Sequence, residues 1–283
     1  MDRSVLETSL LEEYGSATEG CEIQAELVIR ELKSARVRRP STVHPSWPAE
    51  PQIRRQSSLT DAITNWSLNP FHEGVENLVQ YVFQMFRVFN LMERFNISEE
   101  KLKALILAIQ EQYRPNPFHN FEHAFSVTHM TFLILNEGAI KYLGSLEVLA
   151  ALIAALCHDL DHPGHTNAYE VASTSKLALL FCDDSVLERH HAHVAYQLFN
   201  RPECDILEHM TPDESKDFRR IVFEAVLQTD MGFHFEHMSF LDSHSELPIN
   251  REDSVQRRHF VSAIVHCADL SGQVFGMSNS HIV

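Results

Sequence analysis

The sequence predicts an all-α fold. From about residue 61 onward, apolar side chains such as Leu78, Val82 and Met85 recur at three- or four-residue intervals, which is the period of a helix with one buried face. Helical segments follow one another without a convincing strand pattern, and two of them begin with helix-capping signatures. We therefore expect helices packed around one large core, with polar residues gathered at its centre.

Capping residues and turns predict where individual helices begin. Ser98 supplies an N-cap hydroxyl, and Glu99 and Glu100 place acidic groups in the first turn that follows. Residues 211–214 form a capping box with proline at the first helical position, which predicts a helix through about Gln228. Further predicted helices cover about 121–136, 146–157, 187–199 and 254–268, and proline-containing turns at 114–117 and 200–202 separate neighbours.

We expect two regions in the chain. Residues 1–60 are predicted to be a flexible N-terminal segment with a short amphipathic helix over 19–36, followed by four prolines between 40 and 51 that break regular structure. Residues 61–283 are predicted to form the folded domain.

The N-terminal segment is locally basic. Residues 28–56 carry seven basic and two acidic groups, a local balance of +5. Ser57 lies two residues after Arg55, which follows Arg54, and basophilic kinases favour that pattern. Ser57 is therefore a candidate phosphorylation site, because phosphate there would neutralise basic charge. A soluble linker without this role is an equally good interpretation.

Composition excludes several classes of protein. A net charge of −16 over 283 residues argues against a nucleic-acid partner. No apolar run approaches the roughly 18–20 residues that a membrane span needs. The five cysteines form no Cys-x-x-Cys pair, so neither a disulfide framework nor a thiolate zinc site is expected. We expect a cytoplasmic protein with one main domain.

The adjacent pair His158 and Asp159 predicts a metal site. It follows the apolar run 148–156, which should form a buried helix that carries the pair into the interior. Polar groups placed there need partners or a cation, and imidazole with carboxylate suits a catalytic divalent metal. The alternative is structural: His158 ends the helix, and Asp159 with Asp161 begins a turn.

Three other segments could supply further ligands. His119 and His123 are four residues apart, on one face of a helix start. A second apolar helix ends in residues 266–269, with Asp269 as its carboxylate, and residues 187–191 cluster a glutamate with two histidines. With 18 histidines in the chain, any single pair could be a surface feature. Their conjunction favours one site.

These motifs, in this order, resemble those of class I cyclic-nucleotide phosphodiesterases. The resemblance covers roughly residues 61–275, and the His-Asp pair alone is shared with the wider HD-domain phosphohydrolases. The motifs that carry it are residues 118–124, 158–164 with Asn167, 187–191, 229–231 and 266–271. The resemblance implies an HD-domain helical bundle with a buried metal site.

The resemblance also implies a reaction and its residues. His123, His158, Asp159 and Asp269 would bind the first metal, usually zinc, and Asp159 would bridge to a second, usually magnesium or manganese. His119 would protonate the leaving 3′ oxygen as cyclic AMP or cyclic GMP opens to the 5′-monophosphate. Six further residues would orient ligands and metal waters: His162, Asn167, Glu188, His191, Thr229 and Asp230.

The chain departs from the family pattern at several points. Phe118 replaces a tyrosine and Arg189 an asparagine, and Gly272-Gln273 replaces Asn-Pro. After Asp269 the family continues through helices that carry a purine-binding glutamine and a stacking aromatic residue. Residues 274–283 show no helical period and no such candidate. We therefore expect a catalytic domain that lacks its last helices, with low stability or weak, unselective activity.

Two alternatives remain. The chain could be another HD-type metal phosphohydrolase, or a non-catalytic regulator that binds metal or a partner phosphodiesterase through exposed helices. Besides the cyclic nucleotide, a second copy of the chain or a regulatory partner acting through the N-terminal segment is expected.

Overall fold

The computed structural model describes residues 58–245 and 248–276, and within these ranges the chain is helical without a strand. The predicted all-α class is confirmed. The described α-helices are α1 (Ser58–Ile63), α2 (Val75–Val88), α3 (Leu91–Phe95), α4 (Glu99–Gln112), α5 (Phe121–Asn136), α6 (Ser145–Cys157), α7 (Asn167–Ala172), α8 (Lys176–Phe181), α9 (Val186–Phe199), α10 (Pro212–Leu227), α11 (His234–Ser243) and α12 (Ser254–Gly276).

The predicted helix starts are confirmed by their capping bonds. The Ser98 hydroxyl accepts a hydrogen bond from the backbone N–H of Lys101 at 3.2 Å. At α10, the Thr211 hydroxyl accepts from the N–H of Glu214 at 3.2 Å, and the Glu214 carboxylate accepts from the N–H of Thr211 at 3.0 Å. Helices α5, α6 and α9 begin and end within one residue of the predicted bounds.

The last described helix is longer than predicted. Helix α12 runs to Gly276 rather than to about residue 268, so residues 274–276 are helical although the sequence showed no helical period there. Once a helix is formed, each added residue gains a backbone hydrogen bond at little further entropic cost, so a helix can extend into a segment with no amphipathic pattern. The predicted helix over 19–36 and the candidate phosphorylation site Ser57 lie outside the described residues.

Helix α6 is the centre of the core. It is buried from Glu147 to Cys157 and packs against α5, α10 and α12. The one charged group on this stretch, Glu147, is paired with Arg257 at 2.7 Å, which compensates for its burial. The expectation of a buried apolar helix is confirmed, and His158 at its C-terminal end is only 1% exposed.

Helix α5 also carries a buried histidine on the side away from the metal motifs. His129 donates from Nε2 to the backbone carbonyl of Ile63 at 2.7 Å, which joins α1 to α5. Burial lowers the pKa of His129 to about 4, so this imidazole is neutral in the folded protein at pH 7.

No helix among the described residues combines the length and the apolar composition needed to cross a bilayer.

Replacement of Leu152 by alanine tests the central role of α6. Leu152 is fully buried, so Leu152→Ala should lower the free energy of unfolding by about 2–5 kcal/mol through lost burial and a cavity. Leu107→Ala on α4 is the control, because Leu107 is exposed and its removal should change stability by less than about 1 kcal/mol. Urea unfolding measures both. Equal losses in the two variants would contradict a core centred on α6.

His129 should make stability depend on pH. The pKa in the folded state, about 4, lies below the ordinary value of 6.5, so the unfolded chain takes up a proton first as the pH falls. The stabilisation is therefore complete above about pH 6.5 and is lost between about pH 6.5 and 4, by up to roughly 3 kcal/mol. Unfolding free energies of the wild type and of His129→Gln, measured across this range, should converge as the pH falls. Parallel curves would contradict this role of His129.

Candidate metal centre

The loop after α6 presents the first two candidate metal-binding groups. Nδ1 of His158 donates to the backbone carbonyl of Ala155 at 2.9 Å, which leaves the Nε2 lone pair to face the site. Asp159 follows directly, and its carboxylate Oδ2 lies 3.3 Å from His158 Nε2. The helix end thus fixes both the direction and the tautomer of the imidazole.

Two other helices bring the remaining groups. His123 lies in the first turn of α5, where the Asn120 side chain caps the helix by accepting from the N–H of His123 at 3.0 Å. Its Nε2 lies 3.1 Å from His158 Nε2 and 3.4 Å from Asp159 Oδ2. Asp269 of α12 completes the group, with Oδ1 at 3.1 Å from His123 Nε2 and 3.4 Å from His158 Nε2.

The spacing of these four groups fits a metal ion. A divalent ion about 2.0–2.2 Å from each nitrogen or oxygen in a tetrahedral or octahedral arrangement places neighbouring ligand atoms about 2.9–3.5 Å apart. The five distances between the two imidazole nitrogens and the two carboxylates run from 3.1 to 3.4 Å. The residues present can therefore hold one divalent ion with two nitrogen and two oxygen ligands.

The electrostatics of the group also favour a cation. Burial alone would lower the pKa of His158, but the carboxylates of Asp159 and Asp269 outweigh it and raise that pKa well above its usual range. Burial likewise opposes ionisation of Asp159, yet His158 and the bonds from neighbouring imidazoles hold its pKa well below normal. Without a metal, the site draws in protons to balance its carboxylates, and a divalent ion would displace them.

A second group of ligand atoms shares Asp159. His119 Nδ1 lies 2.8 Å from Asp159 Oδ2, and the His119 ring stacks on that of His162 with centroids 3.8 Å apart. Ligand atoms of His119, Asp159 and His162 all lie within 4.8 Å of one another, as do those of His123, His158 and Asp159. Asp159 therefore lies between two clusters of potential metal-binding groups.

His162 and His191 are neutral imidazoles beside this carboxylate. Burial lowers the pKa of His162 to about 4 and that of His191 to about 3. His191 donates from Nδ1 to the backbone carbonyl of Leu160 at 2.6 Å, and its Nε2 lies 3.8 Å from Asp159 Oδ1. The second carboxylate oxygen of Asp159 therefore faces an uncharged nitrogen.

Glu188 and Asn167 are joined by hydrogen bonds. The Asn167 amide donates to both carboxylate oxygens of Glu188, at 2.9 and 3.2 Å, and its own oxygen accepts from the N–H of Leu187 at 2.9 Å. Burial, together with the nearby charges of Asp230 and Asp159, raises the pKa of Glu188 to about 7. This carboxyl group can therefore exchange a proton near neutral pH.

Asp230 and Thr229 occupy the turn after α10. Asp230 accepts from the hydroxyl of Ser185 at 2.9 Å and from the N–H of Gly232 at 2.9 Å. The Thr229 hydroxyl donates to the carbonyl of Val226, at the end of α10, at 2.8 Å. Of the two, Asp230 is the residue whose negative charge raises the pKa of Glu188.

Several polar contacts around the loop were not predicted by sequence reasoning. The proline-containing turn 114–117 was interpreted only as a separator, yet Arg114 and Asn116 within it bond to the metal loop. His190 pairs with Asp161, and the Tyr113 hydroxyl donates to the carbonyl of Leu156 at 2.9 Å. Only their nearness in sequence to motif histidines could have indicated these contacts.

Comparison with known proteins identifies the family. A family model described as 3'5'-cyclic nucleotide phosphodiesterase matches residues 118–281, more than half of the chain. The chain belongs to this family. The matched region contains His119, His123, His158, Asp159 and Asp269.

Phosphodiesterases of several organisms are similar in sequence to the chain. The 3',5'-cyclic-nucleotide phosphodiesterase regA of Dictyostelium discoideum is 36% identical over 229 residues, covering 80% of this chain and 29% of that protein. The high affinity cGMP-specific 3',5'-cyclic phosphodiesterase 9A of Mus musculus is 33% identical over 192 residues, covering 67% of this chain and 36% of that protein. The chain thus spans about a third of the length of these curated relatives.

A solved phosphodiesterase domain has the same fold. The crystal structure of the phosphodiesterase domain of the RhoPDE fusion protein from the choanoflagellate Salpingoeca rosetta superposes with a TM-score of 0.72 at 36% identity. The match covers 75% of this chain and 68% of that domain.

Two departures from the family pattern are accommodated locally. The Phe118 ring packs against His123, with centroids 4.5 Å apart, and meets the His119 ring edge-on at 5.1 Å. Arg189 donates from Nε to the carbonyl of Asp184 at 2.8 Å and pairs with the Asp184 carboxylate. Phe118 therefore supports the two motif histidines by packing, without a tyrosine hydroxyl.

Substitution of Asp269 tests the metal centre. Asp269→Asn keeps the shape of the side chain and removes its charge, so the affinity for a divalent ion should fall at least about 10-fold, as expected when a direct ligand is weakened. Asp242→Asn, on the exposed side of α11, is the matched control and should keep the wild-type affinity. Metal content after equilibrium dialysis, measured by plasma mass spectrometry, distinguishes them. Equal metal content in both variants would remove Asp269 from the ligand set.

Proposed function

We propose that the chain hydrolyses the 3′ phosphodiester bond of a cyclic nucleotide, cyclic AMP or cyclic GMP, to give the 5′-monophosphate. Membership of the phosphodiesterase family supports the reaction class. The observation that carries the proposal is the cluster of His123, His158, Asp159 and Asp269, with His119 held beside it at 2.8 Å from Asp159.

We assign two divalent ions to the site. Two imidazoles and two carboxylates suit zinc in the first position. The second position is bounded by Asp159, His119, His162 and His191, few of them anionic, and this favours magnesium or manganese with mostly water ligands. Bound ions would supply a nucleophile from water at neutral pH and offset negative charge on the phosphate.

His119 is the proposed general acid. Its Nδ1 is engaged by Asp159, and its ring is fixed by stacking on His162. Nε2 is then the nitrogen that can give a proton to the leaving 3′ oxygen. The side chain is partly exposed, as a group that meets substrate must be.

The residues behind the ligands would hold waters and orient the second ion. Glu188 can take up or release a proton near pH 7, because its pKa is raised to about 7. Asn167 fixes the Glu188 carboxylate, and Ser185 fixes Asp230. We assign His162, His191 and Thr229 to the same supporting role.

Further expectations concern the cellular compartment and the regulation of the enzyme. The cytoplasm remains the predicted compartment on the basis of cysteine usage. Regulation through the basic N-terminal segment, phosphorylation of Ser57 and self-association remain predictions.

A non-catalytic regulator is the second candidate. Several large apolar side chains are exposed on the described surface, among them Phe235, Leu179 and Val255, and such groups favour association. Bound metal without turnover would support a regulator, whereas turnover of a non-cyclic nucleotide would support another HD-type phosphohydrolase.

Substitution of His119 separates catalysis from metal binding. His119→Gln should lower kcat for cyclic AMP or cyclic GMP by about 100-fold or more, since a positioned general acid contributes about 10²–10⁴-fold. Its metal content should stay at the wild-type level, whereas Asp159→Ala should lose both metal and turnover. Chromatographic detection of the 5′-monophosphate, with Asp242→Asn as the active control, measures the effect. Full activity in His119→Gln would exclude it as the general acid, and wild-type protein loaded with zinc and magnesium that forms no 5′-monophosphate would overturn the proposed reaction.

A further inference from the structure

Asp161 lies two residues after Asp159, but its carboxylate pairs outside the metal cluster. Its backbone is in the left-handed region, with φ of 57°, which aspartate tolerates better than most residues. Oδ1 accepts from Nε of Arg114 at 2.6 Å, and Oδ2 lies 2.8 Å from Nε2 of His190. Each oxygen therefore joins the metal loop to a different element.

The Arg114 side connects the loop to the turn that carries His119. The Asp161 N–H donates to the carbonyl of Gln112 at 3.2 Å. One amide, Nδ2 of Asn116, donates both to the His162 carbonyl at 2.8 Å and to the His119 carbonyl at 3.2 Å. The backbone of the proposed general acid is thus tied to the loop that carries Asp159.

The His190 side connects the loop to α9. Beside the bond from His190 to Asp161, the neighbouring His191 donates to the Leu160 carbonyl at 2.6 Å. Glu188 and His191, which lie next to the second group of ligand atoms, belong to this same helix turn. Asp161 is therefore the residue at which the turn of His119, the metal loop and α9 meet.

Stability does not account for this arrangement. The Arg114 side chain is 46% exposed and that of Asp161 is 30% exposed, and an exposed ion pair of this kind contributes little to the free energy of folding. Yet a displacement of about 1 Å between reacting groups can cost about 100-fold in rate. Loss of this arrangement should therefore affect the rate of the reaction more than the stability of the fold.

We propose that Arg114, Asp161 and His190 form a positioning clamp that holds His119 against Asp159. The clamp residues belong to neither cluster of potential metal-binding groups, and they would act through the loop and the turn. The expected effect of the clamp on kcat rests on the proposed function. Its expected effect on the hydrogen bond between His119 and Asp159 does not.

Arg114→Gln tests the clamp by kinetics. We expect kcat to fall about 10- to 100-fold with KM within about threefold of wild type, because His119 is displaced while substrate contacts remain. The melting temperature and the metal content should stay close to wild type. The control is Arg87→Gln on α2, which removes an ion pair to Glu99 whose arginine is also 46% exposed. Equal kcat in the two variants would overturn the clamp.

A second measurement does not require turnover. In ¹⁵N-correlated NMR spectra of the histidine rings, the His119 Nδ1–H should appear as a hydrogen-bonded proton in the wild type and in the control Arg87→Gln. In Arg114→Gln this signal should be lost or shifted. The signal is assigned to His119 by its absence in His119→Gln. If the wild-type chain shows the signal but no turnover, loss of the signal in Arg114→Gln would support the clamp while the proposed reaction fails. An unchanged signal in Arg114→Gln would overturn the clamp whatever the activity.

Two substitutions of Asp161 separate positioning from backbone strain. Asp161→Asn keeps the tolerance for φ of 57° and can still bond on both sides, because Nδ1 of His190 has no partner among the described residues and the ring can change tautomer. Asp161→Gly also tolerates this φ but removes both bonds. We expect Asn to retain most of kcat and Gly to lose about 10- to 100-fold. Equal losses in the two variants would contradict a role through these bonds.

Discussion

The structure depends on placing two imidazoles 3.1 Å apart, each within 3.1 to 3.4 Å of the carboxylates of Asp159 and Asp269, inside a helical core. Asp159 is buried and Asp269 is largely so, and such a concentration of negative charge is costly without a compensating cation. The C-terminus of α6 adds to that cost, because its carbonyl groups disfavour the negative charge of Asp159 and favour a cation nearby. Backbone carbonyls orient the imidazoles of His158 and His191 around it.

The helical packing follows from this requirement. The ligands come from α5, from the loop after α6 and from α12, so these three helices must pack against one another along much of their length, as they do. The alanine-rich, uncharged middle of α6 permits close approach on all sides. With this packing, the loop after α6 bonds to the turn before α5 and to the start of α9. These two elements carry His119 and Glu188.

Histidine illustrates how one residue type takes different roles according to its surroundings. His123 and His158 face carboxylates, His162 and His191 are neutral beside them, and His129 holds two helices together by one hydrogen bond. Others pair with each other, as His234 Nδ1 does with His266 Nε2 at 3.0 Å. His266 belongs to the same sequence motif as Asp269, yet this bond turns it toward α11. Burial and partners, rather than the motif, decide what each imidazole does.

The sequence by itself determined the helical class, the helix starts marked by Ser98 and Thr211, and the residues that converge on the metal centre, because these features depend on short-range periodicity, capping and chemically distinctive motifs. It did not determine the end of α12, where propagation of an existing helix outweighs the missing amphipathic pattern. Nor did it reveal the contacts of Arg114, Asn116 and His190, which have no sequence signature. Only the tertiary structure decided these, because a hydrogen bond between residues 29 to 47 positions apart depends on how helices pack and not on the local sequence of either partner.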